Sequence, residues 1–415
     1  MNIQHTCNSL LRIWRRTARI APVLATATLF VAVSAASAQT FTTLHGFTGS
    51  TDGGYAFAPL ILDSAGNLYG TTYQGGDYNC DPANPGRGCG VVYRMDSAGN
   101  ETVLYSFRTL PDAEFSRAGL VRDRAGNLYG TTMWGGASNF GTVFKLDVTG
   151  KETVLYSFTG GKDGRHPSAG LVRDGAGNLY GTTVYGGTLS CVIQNTEFGC
   201  GVVFKVDKTG KETVLHRFNG RDGGWPMADL LRDSQGNLYG TTYTGSTNGG
   251  TVFKIDSAGK FTVLHRFLGG SDGYNPRAGM IRDSAGNLYG TTESGGASAR
   301  GTVFKIDKTG KETILYNFTL GADGGSPYGA LVRDAAGNLY GTTMLGGDPA
   351  CNGGTGCGTI FKVDPSGHET VLHNFEGTPG EYPQARLVRD ASGNLYGTTA
   401  GNDGANFGSV FKLTP

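Results

Sequence analysis

Leu120-Val121-Arg122-Asp123-Arg124-Ala125-Gly126-Asn127-Leu128-Tyr129-Gly130-Thr131-Thr132 reads as two short strands joined by a tight turn. An apolar run enters the turn and Asp123 opens it. Asp in that place bonds its own backbone, and the glycine three residues on closes the turn with a positive φ. The second half, Gly-Asn-Leu-Tyr-Gly-Thr-Thr, occurs word for word seven times, with its tyrosine at Tyr69, Tyr129, Tyr180, Tyr239, Tyr289, Tyr340 and Tyr396. The spacings are 60, 51, 59, 50, 51 and 56 residues. Six copies are preceded by an apolar-Arg-Asp segment; the first has Leu62 in place of the arginine. After each copy comes a run of the Gly141-Thr142-Val143-Phe144-Lys145-Leu146 kind, and after all but the last a run of the Glu152-Thr153-Val154-Leu155-Tyr156-Ser157-Phe158 kind. These β-branched and aromatic runs, bounded by Gly, Asp or Asn, have the signature of strands. No later stretch has the apolar spacing of a long helix. Four strands in each repeat of about 50 residues predict an all-β, seven-bladed β-propeller of four-stranded antiparallel blades.

The phase of the repeat predicts how the ring closes. Phe41-Thr42-Thr43-Leu44-His45-Gly46-Phe47 is a copy of the fourth strand standing before any first strand. The chain ends on Gly408-Ser409-Val410-Phe411-Lys412-Leu413, a third strand with no fourth after it. The N-terminal strand therefore completes the last blade and removes the free ends an open array must cap.

Composition agrees. Seventy glycines in 415 residues, not at every third position, exclude collagen, while 21 Phe, 19 Tyr and 3 Trp supply a core. With 35 basic against 34 acidic residues, a strongly basic nucleic-acid binder is excluded. Residues 1–38 carry Arg12, Arg15, Arg16 and Arg19, an apolar run from Ile20 to Ala36, and Ala36-Ser37-Ala38. That order describes a secretory signal peptide cleaved after Ala38. The mature chain, 39–415, is then a single propeller with 31 basic and 34 acidic residues, a formal charge of −3, and no second apolar stretch long enough to span a membrane.

Thirteen Asp-led turns join strands one to two and three to four, and their role is structural. The loops after strands two and four share the opposite face and vary in length and residue type. Six cysteines of the mature chain, Cys80 with Cys89, Cys191 with Cys200 and Cys351 with Cys357, fall only in the three extended loops between strands two and three. A pair in every long loop and none in the short ones predicts three local disulfides in an oxidising compartment. Cys-x8-Cys and Cys-x5-Cys without a nearby His or second pair are poor zinc spacing, so no metal is expected there.

Candidate site residues come from the strand-one arginines and the variable loops. Arg122, Arg173, Arg232, Arg282, Arg333 and Arg389 recur in strand one, where a ring of guanidinium groups could hold an anion in the channel. The competing structural role is pairing with a group in the same or a neighbouring blade. The fourth-to-first loops offer Asp163, Asp222 and Asp272 with Trp225 and Tyr274, and the second-to-third loops add Trp134, Tyr185 and Tyr243. Aromatic faces beside carboxylates suit sugar or peptide recognition; the alternative is that Asp-Gly closes a turn and the ring plugs a blade interface. His166 lies in a variable loop without an evident counterpart and joins this set, although a lone histidine otherwise reads as surface. One Asp oxygen per loop falls short of the six to eight calcium requires. No nucleophile elbow, zinc-binding helix or phosphate loop occurs, so neither a catalytic set nor a cofactor is expected.

The Gly-Asn-Leu-Tyr-Gly-Thr-Thr and Gly-Thr-Val-Phe-Lys copies resemble the tandem repeat of bacterial exported proteins of the choice-of-anchor, GloVer-containing type, over about residues 41–413. The Asp-x-x-Gly-Asn-Leu-Tyr step also resembles NHL and gluconolactonase-like propellers, and Gly75-Gly76 and Gly135-Gly136 share the double glycine of Kelch repeats. The resemblance implies an exported bacterial β-propeller. Many relatives carry a C-terminal sorting anchor, whereas this chain stops at Pro415 directly after a strand, which favours a periplasmic or released monomer. The expected function is a non-catalytic binding or scaffolding module for polysaccharide or envelope protein on the variable-loop face. The alternative is a lactonase-like hydrolase or lyase with a metal-dependent site at the channel mouth, but the strand-one copies read as nearly identical, which argues against an asymmetric site.

Overall fold

The computed structural model describes residues 39–415 apart from 81–85, 192–197, 246–248, 379 and 403–405. The leader read over 1–38 lies outside the described residues, and Gln39–Pro415 forms one compact unit. Seven four-stranded antiparallel sheets make the seven blades. The second blade is representative: Val121–Arg122 pairs with Leu128–Thr132, that with Thr142–Leu146, and that with Glu152–Ser157. In the last blade Thr40–Gly46 pairs with Ser409–Thr414, running from Thr40 opposite Thr414 to Gly46 opposite Ser409, so the N-terminal strand closes the ring. No helix among the described residues is long and apolar enough to cross a membrane.

Each word of the repeat has a physical task. Asp123 accepts from the backbone N–H of Ala125 and Asn127, both at 2.9 Å, from Asn127 Nδ2 at 2.9 Å, and from the Tyr129 hydroxyl at 3.0 Å. Burial pushes this carboxyl up, but the donors of Asn127 and Tyr129 outweigh it and hold it below its usual value. Gly130 is needed for space: a Cβ there would meet Phe144 Cζ at 2.7 Å. Thr131 donates to the Ala169 carbonyl of the next blade at 2.8 Å, and Thr398 closes the circle by donating to the Ala58 carbonyl at 3.1 Å.

The core lies between blades. The fourth-strand phenylalanine of each blade meets the third-strand aromatic of the next edge to face, as in Phe107–Phe144 at 5.3 Å, Phe158–Phe204 at 5.1 Å and Phe318–Phe361 at 5.0 Å. The closing interface has the same pair, Phe47–Tyr93 at 5.3 Å. Such edge contacts align the positive ring edge with a negative face and add to the burial of large apolar surface. The three cysteine pairs are disulfides, with Cα–Cα separations of 5.9, 5.8 and 5.7 Å.

Candidate functional site

Where each fourth-to-first loop turns into the channel wall, one residue adopts the left-handed conformation. Tyr55, Phe115, His166, Trp225, Asn275, Ser326 and Tyr382 hold φ between 53° and 58°. For a residue with a side chain this costs about 1–2 kcal/mol, so the surroundings must impose it. Two backbone bonds do so. Trp225 N–H donates to the Cys200 carbonyl of the preceding blade at 3.0 Å, and its own carbonyl accepts from Tyr243 N–H at 3.1 Å. Phe115 and Tyr382 are likewise pinned by the carbonyls of Cys89 and Cys357, at 2.9 and 3.0 Å. The disulfide loops thus fix the entry of the next blade.

Two residues beyond each kink a side chain lines a cavity of about 270 Å³ at the channel mouth. These seven are Phe57, Arg117, Ser168, Met227, Arg277, Tyr328 and Gln384. No two neighbouring blades offer the same group. The floor lies two residues further on, where Pro59, Asp229 and Arg386 face the glycines or alanine of other blades. Asp229 Oδ1 accepts from Gly170 N–H at 2.6 Å, and a Cβ at Gly119 would meet Pro59 Cγ at 2.7 Å, so neighbouring blades pack closely at this level.

The electrostatics of this cup are uneven. Tyr328 donates to Glu293 Oε1 at 3.0 Å, and Arg277 stacks over the Tyr328 ring at 4.5 Å with Glu293 Oε2 at 3.8 Å. Burial, and then the Glu293 charge, push the Tyr328 hydroxyl up to about 12. Arg117 lies over both Phe57, at 4.5 Å, and Tyr73, at 4.8 Å. Burial lowers its pKa, with Arg277 adding like-charge repulsion and Tyr73 opposing it. Asp229 on the floor and Glu293 beside the cup are each hydrogen-bonded through one oxygen, and three guanidinium groups, Arg117 and Arg277 on the wall and Arg386 on the floor, share the cavity. That donor set fits an anion better than a divalent cation.

The residues singled out from sequence fall in three places. Trp134, His166, Tyr185 and Trp225 form one aromatic run along the mouth, with centroids 4.2, 6.0 and 6.0 Å apart in that order, and Tyr243 follows through its bond to Trp225. Tyr185 also lines the cup. His166 is not at the surface: it is 7% exposed, and its counterparts are the other left-handed residues. Burial lowers its pKa, and Nδ1–H of the neutral ring donates to the Met133 carbonyl at 2.9 Å.

Asp163, Asp222 and Asp272 lie outside the cup, at the outer strands. Asp163 accepts from the Tyr156 hydroxyl at 3.0 Å, Asp222 pairs with His216 Nε2 at 3.0 Å, and Asp272 accepts from Leu268 N–H at 2.6 Å. Tyr274 bridges to Ser294 through the backbone. His265, Asp272 and Glu312 bring three ligand atoms within 4.8 Å of one another, the described group most like a metal site apart from one that uses disulfide sulfurs. Burial, then Asp272, push Glu312 up to about 9.

The strand-one arginines stand at the tight-turn end. Arg122, Arg173, Arg232, Arg282 and Arg333 each lie 5.5–5.9 Å over the repeat tyrosine of the preceding blade. Arg389 sits beside its own turn, where a Cβ at Gly393 would meet its Nη2 at 3.0 Å. None of the six lines the cup.

The near-identity of the strand-one copies does not extend to the cup. It holds for the apolar-Arg-Asp end, whereas the cup is built from residues just upstream, and there the blades diverge. Arg117, Ser168, Met227, Arg277, Tyr328, Gln384 and Arg386 escaped the sequence reading. The available signal was a position between constant neighbours that changes from copy to copy.

The pattern that defines the Gloeobacter/Verrucomicrobia repeat matches residues 27–193, 82–285 and 270–415. No curated protein matches the chain. Among solved structures, the extracellular domain of a one component system from B. thetaiotaomicron is similar, with a TM-score of 0.54 at 15% identity over 90% of this chain and 41% of that one. The extracellular domain of a hybrid two component system from the same organism gives 0.53 at 12% identity, over 90% and 39%. This chain thus spans less than half of either, and the likeness concerns the fold. A gluconolactonase from Xanthomonas campestris gives 0.43 at 14% identity, over 73% and 86%.

Proposed function

The chain belongs to the Gloeobacter/Verrucomicrobia repeat family, and on that premise we propose that it is an exported, non-catalytic binding propeller whose ligand enters the cup on the long-loop face. One observation carries this reading. Seven blades that repeat their structural motif word for word carry a different side chain at the cup in each pair of neighbours. A merely structural channel would repeat there too, because the same packing problem recurs in each blade; a surface that recognises an asymmetric ligand would not. Three disulfides in the loops that hold the mouth, together with the leader-like 1–38, support export to an oxidising compartment. The ligand class is an envelope polysaccharide, taken by a chain end.

A metal-dependent hydrolase is the weaker reading. It would want free carboxylate or imidazole donors at the mouth, whereas Asp229 accepts from Gly170 N–H, and Glu293 accepts from Tyr328 and faces Arg277 at 3.8 Å. The test is a glycan array probed with the protein and with Met227→Trp and Gln384→Trp, which narrow the cup. Binding that both variants lose while keeping the wild-type melting temperature supports the proposal. Binding that survives both, or hydrolysis of a bound sugar, overturns it.

A further inference from the structure

The guanidinium charges at the cup are not equally satisfied. Arg277 has Glu293, but Arg117 and Arg386 have no carboxylate oxygen within 4.0 Å and make no side-chain hydrogen bond among the described residues. The Nε of each is buried without an acceptor. Buried donors are usually paired; Arg94, Arg165, Arg173 and Arg232 share this unpaired Nε, but only Arg117 and Arg386 bring it to one small cavity, where a partner from outside the chain fits. The cup is also a positive spot on a mature chain whose formal charge is −3.

The placement narrows the partner. Arg386 is in the last blade and Arg117 in the second, so the two flank the first blade, whose Phe57 and Pro59 lie between them. Phe57 and Tyr73, edge to face with each other at 5.8 Å, hold the Arg117 head from two adjacent sides. A planar oxyanion over the first blade would be met by Arg117 from the wall and by Arg386 from the floor, and guanidinium groups bind such oxyanions well. Further round, Ser168 and Gln384 offer a hydroxyl and an amide, Ser168 Oγ also being buried without a partner. Met227 and Val184 offer apolar surface. A carboxylate on one edge, hydroxyl partners on another and an apolar face between describe a sugar acid. The cavity, about 270 Å³, admits one or two such rings.

Resting on the binding reading above, we infer that the cup takes a uronic-acid residue at the end of an acidic polysaccharide, its carboxylate held between Arg117 and Arg386. Titration calorimetry of the purified protein with di-galacturonate, neutral galactobiose and a short peptide ending in a free carboxylate tests this. Di-galacturonate should bind and galactobiose should bind roughly tenfold more weakly or not at all. Raising salt from about 0.05 to about 0.5 M should weaken the acidic ligand. Arg117→Gln and Arg386→Gln should each cost roughly tenfold, while Arg108→Gln, exposed on an outer loop, leaves affinity unchanged. Melting curves of each variant separate lost binding from lost folding. Equal binding of the neutral sugar, abolished by Met227→Trp, overturns the acidic assignment and leaves the binding reading standing. Binding of the peptide alone also overturns the assignment. Binding of any of the three that Met227→Trp does not affect overturns both.

Discussion

Replacing Phe47 by alanine tests whether the N-terminal strand is a full member of the ring. Phe47 is 6% exposed, meets Tyr93 edge to face at 5.3 Å, and its N–H donates to the Gly408 carbonyl at 2.9 Å. Phe318 makes the equivalent contact with Phe361 at 5.0 Å in an interface inside the continuous chain. Removing a buried phenylalanine costs about 3–5 kcal/mol, from lost transfer energy and the cavity left behind. If closure is as tight as the other interfaces, Phe47→Ala and Phe318→Ala should cost the same to within about 1 kcal/mol. Unfolding entropy of roughly 2.1 cal/mol/K per residue implies that a loss of about 4 kcal/mol lowers Tm by about 5 °C in a chain of this size. The assay is urea unfolding followed by tyrosine and tryptophan fluorescence, with calorimetric Tm as a second reading. A double cycle of Phe47→Ala with Tyr93→Leu should show a coupling of about 0.5–1.5 kcal/mol. A cost below about 1 kcal/mol for Phe47→Ala beside a full cost for Phe318→Ala would refute the closed ring. The chain would then be an open array with a loosely attached end.

Three further outcomes follow from the same contacts. Tyr93 stands where the other blades carry phenylalanine, and its hydroxyl is buried without a partner; Tyr93→Phe should therefore stabilise by about 1–3 kcal/mol, read as a raised Tm. Thiol titration of the folded, unreduced protein should find no free thiol in 39–415, and Cys351→Ser with Cys357→Ser should cost about 2–3 kcal/mol. That double variant should also loosen Tyr382, measured as faster exchange of its amide, which bonds to the Cys357 carbonyl. The outer-strand glutamates set a pH dependence. Burial, aided by Asp52, Asp112, Asp163 and Asp323, raises Glu101, Glu152, Glu212 and Glu369 to about 7, and burial with Asp272 raises Glu312 to about 9. Their protonated forms are favoured in the folded state, so their stabilisation is complete below the unfolded value of 4.5 and is lost as pH rises through about 7, and for Glu312 through about 9. His166, His265 and His373 act oppositely below 6.5, their folded pKa values being lowered mainly by burial. Replacing the five glutamates by glutamine should remove the fall in Tm between pH 5 and 8; an unchanged fall assigns it elsewhere.

The blades were legible because their causes are local. Asp123, Gly126 and Asn127 build the turn within five residues, and Gly130 leaves room for Phe144 one strand away. The cysteine pairs could be matched because each closes a loop of its own, six or nine residues apart. The cup was not legible in the same way. Arg117 and Arg386 are 269 positions apart in the chain and meet the same cavity only because the ring closes. His166 read as an isolated residue because its equivalents, Asn275 and Ser326 among them, are defined by a backbone conformation and not by one side-chain type.

By itself the sequence determined the number of blades, the strands in each, the strand that closes the ring and the loops that carry disulfides. All of these follow from turn chemistry and side-chain alternation acting over a few residues, repeated seven times. Only the tertiary structure decided which variable residues share a site. The left-handed residue at each blade entry sets which side chain two positions on lines the cavity, so Arg117 and Tyr328 line the cup, whereas Arg122 lies over Tyr69 and Asp163 bonds Tyr156 outside it. Those are long-range consequences of closing a ring, and no single repeat contains them.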